Sequence, residues 1–187
     1  LILTHYHADH ANGLGVLLAR LDVETLFAPV PTEGEVPLHQ EVAELAQRHG
    51  VEMVYVTEDR ALPLGGAEVT LFAPVGDGGA NEEGLSVLCT AGEFDLLITG
   101  DMNSGHEMIL SALKELPDLE VLLVGHHGSQ YAASQALLER TTPEVGIISV
   151  GDNSYGHPTE DALRRLVLAD VDICRTDKQG TVHLSVN

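Results

Sequence analysis

Thr4-His5-Tyr6-His7-Ala8-Asp9-His10 follows directly on the apolar run Leu1-Ile2-Leu3, and its reading decides the fold. Three imidazoles and a carboxylate fall within six residues at the end of a predicted strand. These are the ligand types that Zn²⁺ and similar divalent ions prefer, and a turn after a strand aims alternate side chains at a common centre. The alternative, a solvated histidine-rich loop, has to place four ligand-type side chains at one strand end by chance. The chain holds ten histidines beside nine Lys+Arg in 187 residues.

Three further pieces extend the pattern. Phe94-Asp95-Leu96-Leu97-Ile98-Thr99-Gly100-Asp101 reads as a buried strand ending in one carboxylate, whose two oxygens could bridge two cations. Taken alone, an Asp after a strand reads as a cap or turn residue; beside the histidine cluster it reads as a ligand. Val124-Gly125-His126-His127-Gly128-Ser129 places two histidines at another strand end, one for metal and one for substrate or an outer shell, and spacing does not say which. Asn153-Ser154-Tyr155-Gly156-His157-Pro158 puts a further histidine just before a helix, where it could hold an oxyanion, protonate a leaving group or simply pack. His39, His49, His106 and His183 have no cluster partners and read as ordinary. Cys89 and Cys174 read as buried small residues.

Around these pieces, short apolar runs alternate with helical patterns, which argues an α/β layered fold. Strands are predicted over 1–4, 23–28, 51–56, 67–73, 85–90, 94–99, 121–124, 145–150, 171–175 and 181–186. Helices are predicted over 13–21, 35–49, 107–116, 134–141 and 159–168, the last capped by Thr159. The strands from Ala67 to Thr99 form a meander, and those from Val121 onward alternate with helices. No internal repeat or dividing linker is evident, so residues 1–187 read as one domain. A strand opening at Leu1 suggests a fragment of a longer chain.

Composition narrows the function. Hydrophobic residues at 44% exclude a disordered acidic tail. No apolar run reaches the ~18 residues of a membrane span, so no membrane contact is expected of this chain itself. Nine Lys+Arg against 29 Asp+Glu give a net charge of −20, which argues against broad electrostatic binding of nucleic acid.

In this order and spacing, the pieces resemble the metallo-β-lactamase fold hydrolases, whose signature is the His-x-His-x-Asp-His present here as His5 to His10. The resemblance implies an αββα sandwich, here lacking its opening strands, and one or two bound ions, Zn²⁺ or Mn²⁺. It assigns His5 and His7 to a first metal, Asp9 and His10 to a second, Asp101 to the bridge, and the His126-His127 pair to the final ligand. We place His126 among the ligands and give Asp9, His127 and His157 catalytic parts.

Within that family, Leu97–Asp101, His126–Ser129, Ile148–Asn153 with Tyr155–Pro158, and Cys174–Gly180 are similar to the C-terminal domain of the competence protein ComEC and its stand-alone relatives. That implies a phosphodiesterase or nuclease acting on single-stranded DNA during uptake, in a parent that is membrane-tethered. Two departures stand out: Asn81 lies where the wider family has a histidine ligand, and Gln130-Tyr131 replaces an expected Lys and hydroxyls. The competing readings are a metallo-hydrolase of another ester or amide (phosphorylcholine esterase, lactamase or lactonase) and a non-catalytic metal-binding module.

Overall fold

In a computed structural model, which describes residues 1–76 and 84–185, nine strands and seven α-helices fold into layers. The expectation at Asn81 lies outside the described residues. β1 (Thr25–Ala28) and β2 (Glu52–Tyr55) pair in parallel. The larger sheet runs β3 (Arg60–Leu64), β4 (Ala67–Phe72), β5 (Ser86–Ala91), β6 (Phe94–Ile98), β7 (Val121–Leu123), β8 (Val145–Ile148) and β9 (Asp172–Arg175). Neighbours are antiparallel from β3 to β6 and parallel from β6 to β9. The meander and the strand–helix alternation read from sequence are both present.

Side-chain alternation builds the layers, because successive residues of a strand face opposite sides. On β1, Leu26 and Ala28 turn outward onto a core with Leu14 and Leu18 of α2 (Leu14–Leu18) and Val42 and Ala46 of α3 (Val36–His49), while Phe27 turns inward. Phe27 meets Leu71 of β4, Val87 of β5 and Ile98 of β6, so the two sheets face each other. On the outer face of the large sheet, Leu88, Leu97 and Leu122 pack on Leu110 of α4 (Ser104–Leu113), Leu137 of α5 (Gln135–Thr141) and Leu166 of α6 (Glu160–Leu168). Helix, sheet, sheet and helix stack in that order, as the resemblance implied.

Three elements differ from the sequence reading. The run Leu1–Thr4 contributes one parallel bridge, Ile2 to Phe27, because the chain then leaves β1 and crosses to the large sheet, where Thr4 O accepts from Leu85 N at 2.8 Å. β3 was not anticipated, since Pro63 interrupts its pattern; it is an edge strand, where a missing N–H costs no ladder bond. Residues 181–185 form no strand; after β9, the edge of the sheet, the chain turns into α7 (Thr176–Gln179).

Every ligand-type residue singled out above sits at one end of these layers, on connections leaving strand ends. That is where layered folds gather functional side chains.

Candidate metal centre

The His5–His10 segment is held from below by its own Tyr6. That side chain is fully buried, and its hydroxyl donates to Pro29 O at 2.6 Å. Glu35 accepts from Tyr6 N, and its second oxygen accepts from Thr32 N and Oγ1 at 2.9 Å each. Tyr6 pointing into the core turns its neighbours His5 and His7 the other way. His7 then caps α1 (Ala8–Ala11), and this single helical turn carries Asp9 and His10 around to the same centre.

Asp101 lies at the middle. Gly100, at φ +60°, turns the chain after β6, and Asn103 caps α4 by accepting from Gly105 N and His106 N. Capping therefore falls to Asn103, and Asp101 (4% exposed) is left to face the histidines. Its Oδ1 is 3.2 Å from His10 Nε2; its Oδ2 is 3.5 Å from His5 Nε2 and 3.8 Å from His126 Nε2.

His126 and His127 occupy a tight turn, Gly125–Gly128, in which both histidines adopt the left-handed region, at φ 47° and 52°. Such backbone costs on the order of 1–3 kcal/mol per non-glycine residue and persists only where the surroundings impose it. Here His126 N donates to Gly100 O, Ser129 N to His126 O, and Thr159 N to Gly128 O. Gly128 itself, at φ +79°, lies so close to Pro158 that a Cβ would sit 2.6 Å from the proline Cβ. The result aims the two rings apart. His127 Nδ1 meets Ser149 O at 2.7 Å and Nε2 meets Asp9 Oδ2 at 3.1 Å, while His126 turns toward His157, ring centroids 5.7 Å apart.

Two ligand groups emerge, each with its donor atoms within 4.8 Å of one another: Asp9, His10, Asp101 and His127, and His5, His7 and Asp101. Asp101 belongs to both. The sequence reading put His126 among the ligands and His127 among the catalytic groups; the geometry brings His127 into a ligand group and leaves His126 in neither. His157 stands beyond His126, its Nδ1 buried without a hydrogen-bond partner among the described residues. Ser149, whose carbonyl sets the tautomer of His127, was not anticipated, because a main-chain acceptor leaves no trace in residue type.

The donor atoms fit a cation. A carbonyl can only accept, so Ser149 O requires a proton on His127 Nδ1, and in the neutral ring that leaves the Nε2 lone pair facing the Asp9 carboxylate. Likewise His5 Nε2, His10 Nε2 and Asp101 Oδ1 are buried with no hydrogen-bond partner among the described residues, although they face one another. With no proton on those ring nitrogens, the three atoms are acceptors that a positive charge between them would satisfy.

The local electrostatics agree. Burial pushes the Asp101 carboxyl up, but His10 and His5 beside it prevail and hold it well below the usual carboxylate range. Burial lowers His5 outright, whereas in His10 burial is outweighed by Asp101 and Asp9, which raise it. Asp9 is lowered despite some burial, chiefly by His10. His157 is lowered by burial and by the nearby His126 and His127.

Comparison with known proteins agrees with this geometry. The family described as the metallo-beta-lactamase superfamily matches residues 1–152. The chain belongs to the metallo-β-lactamase superfamily. Over 187 residues it is 28% identical to ComE operon protein 3 of Bacillus subtilis (strain 168), covering 98% of this chain and 24% of that protein. It is 27% identical over 190 residues to competence protein ComA of Neisseria gonorrhoeae, covering 100% of this chain and 25% of that protein. The chain thus spans about a quarter of the length of these curated relatives. Among solved structures, the metallo-β-lactamase fold protein YhfI from Bacillus subtilis superposes with a TM-score of 0.58 at 12% identity, over 94% of this chain and 73% of that one. Members of the superfamily are metal-binding hydrolases, and the shared carboxylate with its two ligand groups is where this metallo-β-lactamase domain can hold ions.

Proposed function

We propose that the chain is a divalent-metal-dependent phosphodiesterase that cleaves single-stranded DNA. The observation that carries this reading is Asp101, buried and common to two ligand groups, as an enzyme needs when it stabilises both the attacking and the leaving oxygens of a phosphodiester. The names of the curated relatives, competence proteins, support DNA as the polymer.

In this reading His5 and His7 would hold one ion, Asp9, His10 and His127 the other, and Asp101 would serve both. Zn²⁺ or Mn²⁺ bound there would supply hydroxide at neutral pH and polarise the phosphoryl oxygens. The chain's own groups do the rest. Asp9, on the open side of the cleft, would orient the attacking nucleophile. The Ser149 carbonyl fixes His127 in one tautomer and orientation. His157, lowered by burial and by its histidine neighbours, would offer a ring N–H as a hydrogen-bond donor to a non-bridging oxygen. His126 stands between Asp101 and His157 and keeps that ring over the cleft.

One observation favours a second reading. None of the described residues lining the cleft is Lys or Arg, which suits a small ester or amide, of the phosphorylcholine esterase, lactamase or lactonase kind, better than a polyanion. Hydrolysis of bis(p-nitrophenyl) phosphate and of single-stranded DNA, with Zn²⁺ or Mn²⁺ supplied, separates the two. The nuclease reading expects both to be cut and Asp101→Ala to cut neither. Cleavage of the small diester alone would contradict it.

A further inference from the structure

Tyr155 sits at the rim of the cleft formed by His7, Asp9, Asp101, His126, His127 and His157, a space of about 530 Å³. Its side chain is 82% exposed, an unusual position for the largest apolar surface on its loop. The ring is nonetheless oriented. It stacks on His157 with centroids 6.0 Å apart and planes 19° apart, and His157 in turn meets His126 edge-on at 5.7 Å. Three rings therefore step from the rim to within reach of Asp101.

The loop that carries Tyr155 is tied by one residue. Asn153 donates to Gly151 O and His157 O and accepts from Tyr155 N and His157 N, four bonds from a single side-chain amide. An aromatic ring held in place by its backbone loses little freedom when a ligand covers its open face. Among the described residues the cleft also has no Lys or Arg in its lining, so a strand entering it meets no basic groove there. Beyond the phosphate contacts that bound ions would make, flat aromatic contact with bases offers affinity, and it tolerates any sequence because every base has a π-face.

We infer that Tyr155 is a stacking platform for an unpaired nucleobase next to the phosphate being cleaved, so that the site takes single strands with bases rather than any phosphodiester backbone. This inference rests on the nuclease reading above. The chain contains no Trp, so Tyr155→Trp creates a unique fluorescent reporter at the platform. The Zn²⁺-loaded variant is titrated with phosphorothioate-linked oligothymidylate, which resists cleavage, and with an abasic strand of the same length and linkage. Quenching by the base-bearing strand at about tenfold lower concentration is expected, the fold-change of ~1.4 kcal/mol of stacking.

In parallel, KM is compared between oligothymidylate and the abasic phosphodiester strand. The wild-type protein and Tyr155→Phe keep a preference of about tenfold for the strand with bases, and Tyr155→Ala brings the ratio near one. Equal quenching by both strands, no quenching by either, or an unchanged ratio in Tyr155→Ala overturns the inference while leaving the nuclease reading intact. Selective quenching by a protein that cuts no DNA does the reverse.

Discussion

Glu107 offers a prediction that can be worked through from its contacts. This glutamate of α4 is fully buried, and its carboxylate accepts from Ala133 N at 2.9 Å and Ser134 N at 2.5 Å. It thereby ties down the segment that leaves the His126-His127 turn. From the other side Arg165 donates to the carbonyls of Gln130, Ala132 and Ala133. Glu107→Ala strands two buried N–H groups, each costing about 1–3 kcal/mol, so a total loss of about 2–6 kcal/mol is expected. That is a large fraction of the ~5–15 kcal/mol that holds an ordinary domain together. Glu107→Gln keeps one acceptor and should lose about 1–3 kcal/mol.

The same residue has a pH signature. Burial holds the Glu107 carboxyl above its ordinary range, against the opposing pull of Ser134, Ala133 and Arg165. A carboxyl raised in the folded state contributes stability that is complete below the unfolded value of about 4.3 and is lost as pH climbs through the folded value. The stability gap between wild type and Glu107→Gln should therefore narrow as pH rises from the unfolded value of about 4.3 through the raised folded value. Urea unfolding of both proteins across that range measures it. A gap that widens with pH would refute the reasoning, because the backbone N–H donors would then outweigh burial.

Other consequences follow from single contacts. Gly128→Ala drives a Cβ into Pro158 at a positive φ, so it should cost about 1–3 kcal/mol and weaken metal retention by displacing His127, read by thermal melting and metal content. Leu122→Ala, in the core beneath α4 and α5, should cost about 2–5 kcal/mol in urea unfolding and leave the identity of the bound metal unchanged. His127→Ala should lose metal, whereas His126→Ala should retain it and lose turnover; equal retention in both would contradict the separation of their roles.

Much of this site was legible in the residues because strand ends are legible. His5, His7, Asp9, His10 and Asp101 all follow apolar runs, so ligand-type residues gathered just past predicted strand ends marked the site. What could not be read was local backbone. A doublet at a strand end suggests an extended backbone, yet His126 and His127 share a left-handed turn whose shape depends on the Gly100 carbonyl, silent in residue type, and on Thr159, distant in sequence. The choice between the two rings hangs on one main-chain carbonyl, that of Ser149. Similarly, β3 hid behind Pro63, a residue that an edge strand accepts and a central one does not.

The most direct test of the central claim, that Asp101 joins two ligand groups around divalent ions, is metal content per chain after dialysis against Zn²⁺ or Mn²⁺. Wild type, Asp101→Ala and His157→Ala are compared, with circular dichroism confirming that each is folded. Wild type and His157→Ala should retain metal, and Asp101→Ala should retain almost none and hydrolyse no bis(p-nitrophenyl) phosphate. A folded Asp101→Ala protein that holds as much metal as wild type would contradict the account.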